Sequence, residues 1–251
     1  MFNVLQITDC HLVVEGAQLI GVDTQKSLEA VLREATQARQ PDAIIASGDL
    51  AHDPAPEVYQ RFRHTVRRFS DAPLICTPGN HDVKSAMSAL PMESLVVGDW
   101  SIIALDSHED ESTPARISAQ DRAATQRAIE HSSAEFILIT AHHPFVEVNA
   151  PWLDRDRVQQ PDEVVQWLQE ASAGRVKAVV FGHAHQEVTG TCCDLPVYGA
   201  PSTCFQFKPL SQQFTLDTLP PGFRWLELHE QGRLTTQVGR ADQFKIEPKL
   251  R

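Results

Sequence analysis

Two histidines one residue apart, His183 and His185, close the apolar run "VKAVVFGHAHQ". In extended chain, residues i and i+2 project to one side, so both imidazoles can converge on a point just beyond the strand end. Neutral imidazole is the commonest metal ligand, but two histidines do not fill a coordination shell. The same chemistry follows four further apolar runs. "LQITDCH" supplies Asp9 and His11 at the same spacing, and "IIASGDLAHD" supplies Asp49 behind Gly48. "ICTPGNHD" supplies Asn80, His81 and Asp82, and "ILITAHHPF" supplies His142 and His143. Each has an ordinary explanation when read alone. A histidine after a strand is commonly a hydrogen-bonded structural residue, an aspartate behind glycine is turn chemistry, and Asn80 tolerates a left-handed turn. Recurrence at five strand ends in order instead predicts one rim, where open α/β sheets place their ligands.

The elements that must hold this rim are legible as alternating patterns. Short β-branched runs ("NVLQI", "AIIAS", "LICT", "SIIAL", "FILIT", "KAVVF") alternate with helical patterns over 24–39, 57–69, 118–130 and 162–171. In the first of these, Leu28, Val31, Leu32 and Ala35 form one stripe, with Thr24 expected as the N-cap. Such alternation predicts a layered α/β fold. After Gly182 the character changes. "LPVYGA", "STCFQF", "QFTLDT", "FRWLELH" and "RLTTQV" read as short strands, expected to be antiparallel and joined by hairpins, with "PPG" at 220–222 a turn. The expectation is one domain over 1–251, with a core to about residue 240 and a tail over 241–251.

A net charge of −11 argues against a protein that grips nucleic-acid backbones. An anionic substrate would then need local positive charge, which bound metal ions supply. The five cysteines show no C-x-x-C spacing, so neither a disulfide framework nor a zinc ribbon is indicated; free or buried thiols in a reducing cytosol are expected. The opening "MFNVLQITD" is already strand-like, and no apolar run approaches a membrane span. A cytoplasmic protein without membrane or nucleic-acid partners is the expectation.

The ordered set D-x-H (Asp9, His11), G-D (Gly48, Asp49), G-N-H-D (Gly79 to Asp82), H-x-P (His142 to Pro144) and G-H-x-H (Gly182 to His185) resembles the calcineurin-like metallophosphoesterases. The resemblance implies a four-layer α/β/β/α sandwich, two packed mixed β-sheets flanked by helices. It implies two metal ions, one held by Asp9, His11, Asp49 and His185, the other by Asp49, Asn80, His142 and His183, with Asp49 as the bridge. Four imidazoles, one amide and two carboxylates favour borderline transition metals over Mg or Ca, with Fe or Mn ranked first and Zn or Co as further fits. His81 is surplus to both ions and takes the role of proton donor or phosphate contact. His11, Asp49, Asn80 and His185 would face the substrate beside it, and Asp49 and His81 are the expected catalytic residues.

Stretches outside these motifs, including "GVDTQKSLEAVL", "PSTCFQFKP" and "PGFRWLELHEQGRLTTQV", are similar to the bacterial class III 3',5'-cyclic-AMP phosphodiesterases. The implied reaction is hydrolysis of 3',5'-cyclic AMP to 5'-AMP by a metal-bound hydroxide. The alternatives are another dinuclear phosphohydrolase, acting on a glycerophosphodiester, nucleotide or phosphoprotein, and a non-catalytic scaffold of the same fold; a homodimer is left open. Two departures stand out: Cys10 where threonine is common, and Phe145 where relatives carry proline or leucine. Cys10 is expected to be structural and His143 to lie beside the site without being a ligand. His52, His64, His108, His131 and His229 are expected to be solvated or structural. Trp152, Phe145, Phe205 and Phe207 are aromatic side chains of the kind that flank a base, with packing as their expected role.

Overall fold

The computed structural model describes residues 1–108 and 115–246. Its strands are β1 (Phe2–Ile7), β2 (Ala43–Ser47), β3 (Leu74–Thr77), β4 (Ser94–Val97), β5 (Trp100–Ala104), β6 (Phe136–Thr140), β7 (Val176–Phe181), β8 (Val188–Cys192), β9 (Leu195–Gly199), β10 (Gly222–Leu228) and β11 (Leu234–Arg240). The helices are α1 (Thr24–Ala38), α2 (Pro56–Phe69), α3 (Ala119–His131), the single turn α4 (Pro151–Asp154) and α5 (Pro161–Ala171). One sheet runs β11-β10-β1-β2-β3 and the other β4-β5-β6-β7-β9-β8.

Period-two alternation divides each central strand between two cores. Val4, Ile45 and Ile75 of the first sheet meet Ile102, Leu138 and Val180 of the second in a core between the sheets. Their neighbours Leu5, Ile7, Ile44 and Ala46 turn outward onto Leu28 and Leu32 of α1 and Val58 and Phe62 of α2. On the far side, Ile103, Ile139 and Val179 pack against Ile129 of α3 and Val165 and Leu168 of α5. Strands covered on both faces have no polar side to show, which is why they read as continuous β-branched runs. The expected four-layer sandwich is the fold.

The differences lie at the edges. Asp23, not Thr24, caps α1, its carboxylate accepting the Lys26 N–H at 3.0 Å. "STCFQF" and "QFTLDT" are not strands. They meet in one isolated bridge, Phe207 with Leu216, and the first is drawn over the site by contacts such as Thr203 N–H to the Thr8 carbonyl. The antiparallel expectation holds for β8, β10 and β11, but β9 returns from its hairpin to lie parallel to β7. Strands β4 and β8 are the two outer strands of the second sheet, and most of their residues are exposed or half-exposed. Beyond β11, Ala241 and Phe244 pack onto the first helical core. No helix among the described residues is long and apolar enough to cross a membrane.

One buried cation fastens the sheets to each other. Arg224 on β10 is 1% exposed, and its guanidinium donates to the carbonyls of Gly199 (2.9 Å) and Val188 (3.1 Å) and to Thr236 Oγ1 (2.9 Å). Replacing it by leucine removes all of those hydrogen bonds from a buried site. Arg224→Leu should lower unfolding stability by about 2–4 kcal/mol, read from urea denaturation.

Candidate metal centre

Parallel strands β1, β2, β3, β6 and β7 end on a common rim, and the predicted donors lie in the loops just beyond them. The route of the chain differs from simple alternation. Asp9, His11, Asp49, His183 and His185 all have left-handed backbones, with φ between 44° and 61°. Each such residue costs roughly 1–3 kcal/mol and persists only where its surroundings enforce it. Here backbone bonds across the rim do so: Asp9 N–H to the Gly48 carbonyl and His11 N–H to the Asp49 carbonyl, both 2.9 Å, and His183 N–H to Asp9 Oδ2 at 3.0 Å. Thus i and i+2 side chains converge through two sharp turns instead of an extended strand.

The donors fall into two groups. In one, His185 Nε2 lies 3.1 Å from His11 Nε2 and 3.2 Å from Asp9 Oδ1. In the other, Asn80 Oδ1 lies 2.9 Å from His183 Nδ1 and 3.2 Å from His142 Nε2, and those two nitrogens are 3.3 Å apart. Asp49 Oδ2 stands between the groups, 3.6 Å from His11 Nε2 and 3.5 Å from His142 Nε2. One carboxylate oxygen therefore faces both.

The donor set suits cations. The Ser47 carbonyl at 2.9 Å from His142 Nδ1 and the Phe205 carbonyl at 2.7 Å from His185 Nδ1 can only accept, so each Nδ1 carries a proton and, in the neutral ring, each Nε2 turns a lone pair inward. Those lone pairs, the Asn80 oxygen and two carboxylates crowd a buried volume with more acceptors than protons. Burial pulls His11 and His183 down to about 3, keeping them neutral and ready to ligate. Burial alone would raise Asp49, but His142 holds it well below the ordinary carboxylate range; against the effect of burial, Asp49 in turn raises His142 to about 9, so an ion bound there displaces a proton from that ring.

Glycine is required where loops touch the donors. A Cβ on Gly79 would strike Asp49 Oδ1 and its backbone nitrogen, and one on Gly182 would strike Thr8 Oγ1 and the Asp9 carboxylate. Gly79→Ala should reduce metal affinity by about 10–100-fold, as loss of a supporting contact does, measured by competition with a chelating dye.

Asp82 takes a part that the sequence alone did not reveal. Buried beneath the rim, it accepts from the N–H groups of Gly79 (2.9 Å), Leu50 (3.2 Å) and Ala51 (3.1 Å) and from the Tyr59 hydroxyl (3.0 Å), tying the loops after β2 and β3 together. Burial and the neighbouring Asp49 push it up to about 7. His143 is buried with Nδ1 2.9 Å from Ser107 Oγ and its ring 4.9 Å from those of His142 and His183. Cys10 is fully buried in the first helical core, as expected.

His52, expected to be solvated or structural, is half-buried beside the site. Its ring stacks on His81 at 5.0 Å and lies 5.9 Å from His11, at the edge of the donor cluster; its place three residues after Asp49 was the available signal. His81 is exposed, its ring 4.9 Å from that of His11 and its backbone N–H given to Asp49 Oδ1 at 2.8 Å. A pocket of about 320 Å³ opens over the rim, lined by His11, Asp49, Asn80, His81, His183 and His185 and by an aromatic wall of Trp152, Phe205, Phe207 and Phe214. Phe145 is absent from this wall; it is 1% exposed in the core beneath α5. A larger cleft of about 750 Å³ beside α3 contains none of the donors. Its charged centre is Lys84, ion-paired with Asp106 and Asp121.

The family model of the calcineurin-like phosphoesterases matches residues 2–187. The chain is 36% identical to the Pseudomonas aeruginosa 3',5'-cyclic adenosine monophosphate phosphodiesterase CpdA, covering 97% of this chain and 91% of that one. It is 35% identical to the Haemophilus influenzae protein of that name, over 100% and 94% of the two chains. The Escherichia coli K12 counterpart is 37% identical over 98% and 92%. Among solved structures, the Plasmodium inner-membrane-complex anchor GAP50 superposes with a TM-score of 0.61 at 11% identity, covering 96% of this chain and 85% of that one. A putative 5'-nucleotidase from Staphylococcus aureus superposes with a TM-score of 0.52 at 13% identity over 98% and 56%. Those two likenesses speak to the fold, whereas the family match spans all the strand ends that carry the donors. The chain belongs to the calcineurin-like phosphoesterase family and, with it, to the enzymes that cleave phosphoesters with divalent metal ions.

Proposed function

We propose that this enzyme hydrolyses 3',5'-cyclic AMP to 5'-AMP. The observation that carries this reading is identity of 35–37% to three cyclic-AMP phosphodiesterases over nearly the whole of each chain. The pocket supports it, since metal-ligand candidates and aromatic rings line it together, as suits a phosphate joined to a flat base. Asp9, His11, Asp49 and His185 would hold one ion, and Asp49, Asn80, His142 and His183 the second. Fe or Mn leads, with Zn or Co also suited to the imidazole-rich set. When bound, such ions supply Lewis acidity toward phosphoryl oxygens and bring the pKa of water toward ~7.

The chain's own residues have separable tasks. The hydrogen bonds to Ser47 and Phe205 orient His142 and His185. Asp82 fixes the loops that carry Asp49 and Asn80. His81, exposed at the pocket mouth, is placed to give a proton to the departing ribose oxygen or to contact the phosphate. The chain acts as one domain, and its five unpaired cysteines suit the cytoplasm.

Purified Mn-loaded protein should hydrolyse cyclic AMP with a higher kcat/KM than cyclic GMP or AMP, with bis(p-nitrophenyl) phosphate as an activated diester control. A chelator should abolish activity and added Mn restore it. Hydrolysis of the p-nitrophenyl diester with cyclic AMP left intact would overturn the substrate assignment. Trp152→Ala should raise KM for cyclic AMP roughly tenfold while sparing kcat, within the range of a lost base-stacking contact, as steady-state kinetics would show.

A further inference from the structure

A second convergence of ligating groups lies in the β8–β9 hairpin, outside the phosphoesterase machinery. Cys192 ends β8 and Cys193 follows it in a two-residue turn closed by the pairing of Cys192 with Leu195. Neighbouring strand residues point to opposite faces, so adjacent cysteines ordinarily diverge. Here Cys193 and Asp194 both have positive φ, 45° and 65°, the backbone of a primed hairpin turn, which ordinarily calls for asparagine or glycine. Both thiols instead reach the first turn of α5. Cys192 Sγ lies 3.3 Å from Asp162 Oδ1, and Cys193 Sγ lies 4.0 Å from the Asp162 carbonyl oxygen. The two sulfurs and an Asp162 carboxylate oxygen all lie within 4.8 Å of one another.

Two sulfurs bound to a tetrahedral zinc ion at about 2.3 Å stand roughly 3.8 Å apart, so small side-chain rotations close this triad around an ion. Cys193 is exposed, which provides entry and leaves room for water as a fourth ligand; Cys192 is buried, which limits its rotamers. We propose that Cys192, Cys193 and Asp162 form a binding site for one thiophilic divalent cation, Zn²⁺ or Cd²⁺, separate from the nitrogen- and oxygen-lined rim. The occupied site joins the start of α5 to the β8–β9 hairpin. Burial and the adjacent Asp162 push the Cys192 thiol up to about 12, while the bond to Asp162 raises Cys193. Both thiols are therefore protonated before binding, and each ion bound near neutral pH displaces about two protons.

The test uses the Mn-loaded enzyme under a phosphine reductant, titrated with Cd²⁺ and followed by the ultraviolet charge-transfer band of cadmium thiolate. None of the rim donors is a thiol, so Cd²⁺ exchanging with Mn at those donors gives no such band. The expected result is a band that saturates at one Cd²⁺ per chain with about two protons released. Cys193→Ser should weaken binding about 100-fold or more and Asp162→Asn about tenfold, with hydrolysis by the Mn form unchanged in both. Absence of the band in the wild-type protein would overturn the proposal. So would a band of equal strength in the Cys192→Ser, Cys193→Ser double variant, which would assign it to Cys10, Cys76 or Cys204. Because Cys193 is exposed, its serine variant tests the site without disturbing the core.

Discussion

Asp49→Asn is expected to deprive the enzyme of both metal ions and of almost all activity. Asp49 Oδ2 faces His11 Nε2 at 3.6 Å and His142 Nε2 at 3.5 Å, so its charge serves both donor groups. Asparagine keeps the Oδ1 acceptor that receives the His81 N–H at 2.8 Å, so the turn survives while the negative charge goes. Loss of metal-based charge stabilisation is worth several kcal/mol, and each 1.36 kcal/mol is tenfold in rate, which gives a fall in kcat/KM of roughly 10⁴-fold or more. Asn80→Ala provides the contrast. Asn80 Oδ1 touches only His142 and His183 among the donors, so one ion should remain. Elemental analysis after Mn reconstitution separates the two outcomes: near zero ions per chain for the first variant and near one for the second. Two ions retained by Asp49→Asn would remove Asp49 from its bridging position.

His81→Ala should keep both ions and lose about 10²- to 10⁴-fold in kcat with cyclic AMP, the usual range for a positioned acid. The structural contribution of His81 is its backbone N–H to Asp49, which alanine retains. Its exposed ring touches His11 and His52 and bears no load in the core. Opening the cyclic diester expels a poor ribose leaving group that needs a proton; p-nitrophenolate departs with little help. The loss should therefore shrink with bis(p-nitrophenyl) phosphate. Equal losses on both substrates together with reduced metal content would show that His81 only braces the loop. The neighbouring His52, stacked on the same ring, makes His52→Ala a useful comparison.

The predicted donors and the strands that carry them were readable in one dimension because each belongs to a local pattern. A β-branched run covered on both faces must be apolar along its length, and the polar residue that follows it marks the rim. Asp9, His11, Asp49, Asn80, His142, His183 and His185 could be picked out this way, and the family resemblance arranged them into two groups. The left-handed backbones at five of them were not readable. Conformations that cost energy in isolation are held by bonds such as Asp9 to Gly48 and His183 to Asp9, between segments far apart in sequence. The same cause hid Asp82, whose four donors come from two loops and a helix. It also explains "STCFQF", whose composition reads as a strand, whereas Phe205 and Phe207 line a pocket wall with Trp152 and Phe214. Phe145, equally aromatic, went into the core. Residue type decides that an aromatic ring will be covered; which surface covers it depends on where the packed sheets bring the loop.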